Sequence, residues 1–184
     1  MLYLIMGKSN SGKTTLFNKL LQDAEFMSKI KVVPSHTTRP IRPHEIDGRE
    51  YVFDTMQQFS DYYRNGDLAE YSKFDTVFGT WFYYTLKKDI LDCDMIKIIE
   101  PIGLAQIKQL GTPVKVFYIN ADYDTRFQRG IARGDDENEL TRRLQADEDS
   151  FRYLQADYIV SNEDGTNIDD RVKLIKDIIL KGDK

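Results

Sequence analysis

Cysteine is all but missing from this 184-residue chain: Cys93 stands alone, so no internal disulfide can form and a cytoplasmic, reducing setting is expected. A lone cysteine reads most simply as a small buried apolar side chain. No apolar run approaches the roughly 20 residues that a membrane-spanning helix needs, and the first residues enter a strand with no basic, cleavable leader pattern. No membrane partner is therefore expected. A positive excess is missing as well. Lys and Arg number 26 against 30 Asp and Glu, a formal net charge of −4, whereas bulk nucleic-acid binding wants a basic face. Nucleic acid is thus not an expected partner either. Repeats, low-complexity tracts and linkers are also absent, and the length suits one domain with a sizeable core.

Against these absences one stretch stands out. Gly7-Lys8-Ser9-Asn10-Ser11-Gly12-Lys13-Thr14 spells G-x-x-x-x-G-K-[ST]. Leu2-Tyr3-Leu4-Ile5-Met6 precedes it as a strand, and Leu16, Phe17, Leu20 and Leu21 follow at helical spacing. Gly7 and Gly12 let the backbone curl so that successive N–H groups, through Asn10 and Ser11, point at phosphate oxygens. The next helix aims its positive dipole end at the same place. Lys13 supplies a mobile charge for terminal phosphates, and the Thr14 hydroxyl is the expected ligand for Mg²⁺. Thr15 completes the expected ATP contacts of the loop.

The rest of the chain reads as α/β. Strands are expected at 2–6, 31–33, 95–99, 114–119 and 158–160. Helices are expected at Leu86 to Leu91, Pro101 to Leu110, around Tyr123, Phe127 and Ile131, from Leu140 to Leu154, and from Ile168 to Ile179. Five strands alternating with helices imply a five-stranded parallel sheet covered on both faces, with ligands beyond the carboxyl ends of its strands. Residues 35–84 differ in character, being rich in Tyr, Phe, Asp and Arg. Tyr51-Val52-Phe53 and Leu68 to Tyr71 read as strands there, with a short helix around Met56, Phe59, Tyr62 and Tyr63. The domain reading is a core of 1–33 and 87–184 and a small mixed α/β excursion at 34–86.

Within that excursion, Ser35-His36-Thr37-Thr38-Arg39-Pro40-Ile41-Arg42-Pro43 and Asp47-Gly48-Arg49-Glu50-Tyr51-Val52-Phe53 resemble the guanylate kinases. That family holds a nucleoside monophosphate with S-x-T-T-R-x-x-R and D/N-G-x-x-Y-x-F segments. The resemblance runs over most of the chain and implies ATP-dependent phosphorylation of GMP, or dGMP, in purine nucleotide metabolism, by a monomer or homodimer. The residues make physical sense unaided: Arg39 and Arg42 are forked donors suited to phosphate, and the Ser35 and Tyr51 hydroxyls can complete its hydrogen bonds. The resemblance assigns guanine reading to Glu70 and to Thr80 of the Gly79-Thr80 pair, with Glu100 aligned to a further base-reading acid. One carboxylate can accept the N1–H and exocyclic amine of guanine together, and a hydroxyl can donate to O6; adenine reverses that pattern. His36 and His44 read as surface or loop residues.

Arg129, Arg133 and Arg143 flank an acidic segment at 134–139 and match lid arginines of the family, Arg129 on the ATP side and Arg133 and Arg143 over the transferring phosphoryl. Lys13, Arg39, Arg133 and Arg143 are the expected catalytic cations. The acidic residues Asp135, Asp136 and Glu137 are expected to hold the lid open until phosphate competes for its arginines. Two departures leave alternatives open. Phe78 stands where the family commonly has Tyr, and Ile98 where it has an Asp near the metal. A related kinase with another phosphorylated acceptor, such as a ribose bisphosphate kinase, would not need Glu70 and Thr80 as base readers. A non-catalytic scaffold domain would not need an intact glycine loop. A switch GTPase lacks support, since neither D-x-x-G nor N-K-x-D occurs.

Overall fold

The computed structural model describes residues 1–43, 45–49, 51–76 and 79–182. Two sheets organise them. The first carries five strands, β1 (Leu2–Met6), β2 (Lys31–Val32), β7 (Met95–Ile98), β8 (Val114–Asn120) and β9 (Tyr158–Ser161), in the order β2-β7-β1-β8-β9. All of its pairings are parallel. β1 is central and buried on both faces, which is why Leu2-Tyr3-Leu4-Ile5-Met6 runs apolar without alternation. Its side chains divide the core. Ile5 joins Ile96, Phe117 and Ile119 beneath Leu16 and Leu20 of α1 (Lys13–Gln22), Phe26 of α2 (Ala24–Lys29) and Ile175 of α7 (Ile168–Lys181). Leu2, Leu4 and Met6 face the other way, onto Leu104 and Ile107 of α4 (Pro101–Gln109) and Phe151.

The second sheet has four strands in the order β4-β3-β6-β5: β3 (His36–Thr37), β4 (Val52–Phe53), β5 (Leu68–Thr76) and β6 (Gly79–Leu86). Helix α3 (Met56–Asn65) packs on it through Phe59, which stacks on Phe82 at 4.0 Å between ring centroids. The helix begins in a Thr55/Gln58 capping box and ends at Gly66, whose φ of 72° suits the left-handed turn. The remaining helices are α5 (Tyr123–Arg133) and α6 (Glu137–Ser150), capped by Asp122 and Asp136.

Three expectations need correction. No α-helix covers Leu86 to Leu91: Leu86 ends β6, and only a 3₁₀ turn at Lys87–Asp89 follows. The spacing of Leu86, Ile90 and Leu91 imitated a helix because Leu86 and Ile90 serve different clusters, one under each sheet. α6 stops at Ser150, so Phe151 and Leu154 pack from the turn beyond it. His36 is not a surface residue; it is 6% exposed. Its Nδ1 lies 2.6 Å from Asp54 and its Nε2 3.0 Å from Asp89, while Tyr84 donates its hydroxyl to Asp54 and stacks on the imidazole. His44 lies outside the described residues.

This buried group of four side chains closes the second sheet against the 3₁₀ turn. Replacing His36 with Leu leaves two enclosed carboxylates without their shared partner, and the expected loss is about 3 kcal/mol of unfolding free energy. Urea titration checks this; a loss under about 1 kcal/mol would mean that the group contributes little.

Candidate active site

The glycine loop leaves the carboxyl end of β1 and enters α1. Gly12 caps α1 with φ 89°, a conformation that a side chain resists. Gly7 is required for closeness instead: a Cβ there would stand 2.5 Å from Ser11 Oγ and 2.7 Å from the Ile119 carbonyl oxygen. Asn10 takes φ 61° and donates its amide to the Arg126 carbonyl at 3.0 Å. Ser11 is 1% exposed, and its carbonyl accepts from Asn162 at 2.7 Å. Arg129 braces the loop's other flank. It donates to the Asn162 carbonyl at 2.8 Å and pairs with Asp164 at 2.9 Å, with longer bonds of 3.4 Å to the carbonyls of Asn10 and Ser11. Lys13, Thr14 and Thr15 open α1, with both threonines exposed, and no acidic side chain lies in that first turn.

Two residues that the motif did not reveal sit against this loop. On α6, Asp147 accepts from the Ser9 backbone N–H at 2.6 Å, so a carboxylate oxygen stands where a phosphate oxygen could accept the same bond. Next to it, Glu148 pairs with both Lys8 and the buried Arg126. The density of acids in 147–149 was the available signal, but helix periodicity alone does not say which face meets the loop.

In the second constellation Arg39 is likewise held by a carboxylate. Arg39, 7% exposed, forms a fork on Glu45 with bonds of 2.8 and 3.0 Å. It also donates to the Tyr83 hydroxyl at 3.2 Å and to the Pro40 carbonyl at 2.8 Å, with its guanidinium 5.7 Å from the Tyr51 ring centroid. That fork pulls the Glu45 carboxyl down to about 2. Arg42 is exposed, and its backbone N–H donates to Glu45 at 2.7 Å. Burial raises the Tyr51 hydroxyl above the usual phenol range. Where α5 gives way to α6, Arg133 and Arg143 converge on Asp135, the former at 2.5 and 3.0 Å. Asp135 is held at about 2, chiefly by its hydrogen bonds to Arg133. Asp136 is spent on capping α6 instead.

Glu70 is 5% exposed on β5 and accepts from Thr85 at 2.6 Å, with the Lys97 ammonium 3.5 Å away. Burial draws that ammonium below the usual lysine range, and the charges of Glu70 and Asp89 partly restore it. Gly103 of α4 makes the necessary room, since a Cβ there would stand 2.8 Å from Glu70 Oε2. The structure does not bring Thr80 to this carboxylate. In the hairpin Glu70 pairs with Thr85 and Asp75 with Thr80, five positions or about 17 Å apart along the strand. Thr80 donates to Asp75 at 2.6 Å, and Gly79 is exposed beside it. Phe78 lies outside the described residues.

Glu100 follows β7 and is half-buried. Burial pushes its carboxyl above the usual range, the Lys13 charge draws it down, and the charges of Asp147 and Glu70 push it further up. It stands between β7 of the first sheet and α4, which it precedes as the N-cap residue. Ser35 joins the same region through the bond it accepts from Lys97 at 2.8 Å.

Comparison with known proteins agrees with this geometry. The family model described as guanylate kinase matches residues 1–181. The guanylate kinase of Hahella chejuensis is 34% identical over 170 residues, 89% of this chain and 79% of that protein. The guanylate kinase of Legionella pneumophila (strain Paris) is 33% identical over 167 residues, 89% of this chain and 78% of that protein. The crystal structure of guanylate kinase from Anaplasma phagocytophilum superposes with a TM-score of 0.68, covering 97% of this chain and 84% of that one at 20% identity, a likeness of fold. With an intact glycine loop on the central strand and a family match over nearly all its length, the chain belongs to the guanylate kinase family.

Proposed function

We propose that this protein catalyses the ATP-dependent phosphorylation of GMP, and of dGMP through the same base contacts, in the cytoplasm. The observation that carries the reading is the intact glycine loop entering α1 at Lys13 and Thr14, in a chain whose family match spans residues 1–181. On this reading the phosphate-binding loop and the base-reading carboxylate face one cleft. Residues 34–86 serve as the monophosphate-binding subdomain, and 125–145 as the lid.

ATP's phosphates lie along the N–H groups of Gly7 to Thr14, with Lys13 on the terminal phosphates and Arg129 bracing the loop from outside. The monophosphate's phosphate is held by Arg39, Arg42, Tyr51 and Ser35, and its guanine edge by Glu70, with Glu100 nearby. The acceptor is already a phosphate oxygen. It forms the new bond to the γ-phosphorus as the bond to the ADP oxygen breaks, and no strong base is needed. Arg133 and Arg143 neutralise the charge on the moving phosphoryl, and closure over it keeps water out. Arg39 must exchange Glu45 for the phosphate, and the lid arginines must exchange Asp135 for theirs. Asp147 must likewise leave the Ser9 N–H when ATP arrives.

The donor set fits Mg²⁺. Thr14 offers an exposed hydroxyl at the loop's end, and no cluster of three His, Cys, Asp or Glu able to cage a metal occurs among the described residues. That suits an ion bound mainly through substrate phosphates and water. Ile98 packs into the apolar cluster and offers no ligand. When bound, Mg²⁺ neutralises phosphate charge and orients the γ-phosphate; this chain's part is the Thr14 hydroxyl.

A coupled assay of ADP release with ATP, Mg²⁺ and a panel of monophosphates tests the reading. GMP is turned over and AMP is not, and Lys13→Ala abolishes turnover with an unchanged circular dichroism spectrum; equal turnover of GMP and AMP would sink the assignment.

The lid contact gives a second expectation. Asp135 is depressed from its unfolded value of about 3.9 to about 2 in the folded chain. Its pairing therefore contributes fully above pH ~4 and is lost only as pH falls through about 2. Moving from pH 7 to pH 5 leaves the arginines clasped, whereas Asp135→Asn frees them at either pH. Titration calorimetry should give tighter ATP and GMP binding by Asp135→Asn at both pH values, by about three- to tenfold, and no such gain from acidification of the wild type.

A further inference from the structure

Lys97 sits where an apolar residue is cheapest. On β7 it shares a side of the sheet with Met95, its register partner on β1 is Leu4, and the surrounding cluster contains Leu2, Val116 and Leu104. The residue is 4% exposed. A charged group at such a place gives up its hydration, which neighbouring acceptors must replace. Its acceptors here are specific. The ammonium donates to Ser35 Oγ at 2.8 Å and lies 3.5 Å from Glu70 Oε1. Ser35 is on the segment entering β3, and Glu70 is on β5, so one cation of the first sheet reaches two separate parts of the second.

Those two acceptors are the residues assigned above to opposite ends of the monophosphate, and the inference rests on that reading. A serine hydroxyl has one proton to give. Because Ser35 Oγ accepts from Lys97, its own O–H stays available to donate to a phosphate oxygen. Glu70 Oε1 accepts from Thr85 and lies at ion-pair distance, 3.5 Å, from Lys97, which orients the carboxylate and leaves a lone pair on each oxygen for the paired N–H donors of guanine. We propose that Lys97 is a positioning residue for the monophosphate, aligning the phosphate-binding hydroxyl and the base-reading carboxylate through one shared ammonium. It touches neither the reacting atoms nor the phosphoryl group. Because a single group spans both subsites, filling either end tightens the other.

Steady-state kinetics on GMP and on IMP, which lacks the exocyclic amine, read the two ends separately. Lys97→Met should raise KM for GMP about tenfold or more, with KM for ATP changed less than about twofold. It should also shrink the preference for GMP over IMP. Lys97→Arg, which keeps a charge, should recover part of both. In the Lys97→Met/Glu70→Gln double variant the preference should be no smaller than in Glu70→Gln alone, since each change breaks the same arrangement. The proposal is overturned if a folded Lys97→Met keeps both KM for GMP and the GMP/IMP preference within about twofold of the wild type, or if the two changes simply multiply. Should Lys97→Met fail to fold, ¹⁵N-lysine NMR of the wild-type protein decides: the Lys97 ammonium resonance should shift with inorganic phosphate alone and with guanosine alone, and a resonance indifferent to both would end the proposal. Wild-type protein that handles GMP and AMP alike would remove the parent reading and this one with it. A GMP-selective wild type with a silent Lys97→Met removes only this one.

Discussion

A guanidinium or ammonium group held inside a folded chain needs counter-charge, and a protein built to receive phosphates must supply it before the phosphates arrive. Here the chain lends its own carboxylates. Glu45 holds Arg39 in a two-bond fork, and Asp135 gathers Arg133 and Arg143. Glu148 pairs with Lys8 and Arg126, and Asp147 takes the Ser9 N–H. On the proposed function, part of the acidic excess, net −4, stands in for phosphate in the nucleotide-free protein. On the proposed reading the Arg39, Arg133 and Arg143 guanidinium groups exchange these carboxylates for phosphate when nucleotide binds, while the Asp147 contact occupies a main-chain amide instead.

The main-chain amides of the glycine loop and the Arg39 guanidinium belong to different sheets, the loop following β1 of the first and Arg39 following β3 of the second. The glycine loop is shaped by contacts from β8 and from the Asn162 region, against which Gly7 and Gly12 leave no space for a side chain. The arginine constellation rides on the smaller sheet, whose own interior is closed by the His36, Asp54, Asp89 and Tyr84 group. Glu100 and Lys97 lie where the two parts meet. Both are charged groups in surroundings that raise the free energy of charge, as is common where a site requires it.

Much of this was legible from residues alone. The loop could be read because its glycines and Lys13 stand at a spacing that main-chain phosphate binding requires. The five parallel strands could be read because strands covered on both faces run apolar. Other features gave no such signal. β6 was missed because Trp81, Phe82, Tyr83 and Tyr84 lack the alternation of a half-exposed strand. The role of His36 was misjudged because Asp54 and Asp89, its partners, lie 18 and 53 residues away in the chain. The register that sets Glu70 opposite Thr85 and Asp75 opposite Thr80 gave no signal either, since ladder pairing depends on how the two strands meet.

Fold class, the glycine loop and family membership could be read in the order of residues, because they rest on short-range spacing: glycines within one loop, apolar residues within one strand, arginines within one segment. Which charges meet depends on the packed fold. Pairings such as Lys97 with Ser35 and Glu70, or Asp147 with Ser9, join residues far apart in the chain. A charge carries no mark of its partner, and the partner is chosen by how the sheets and helices pack.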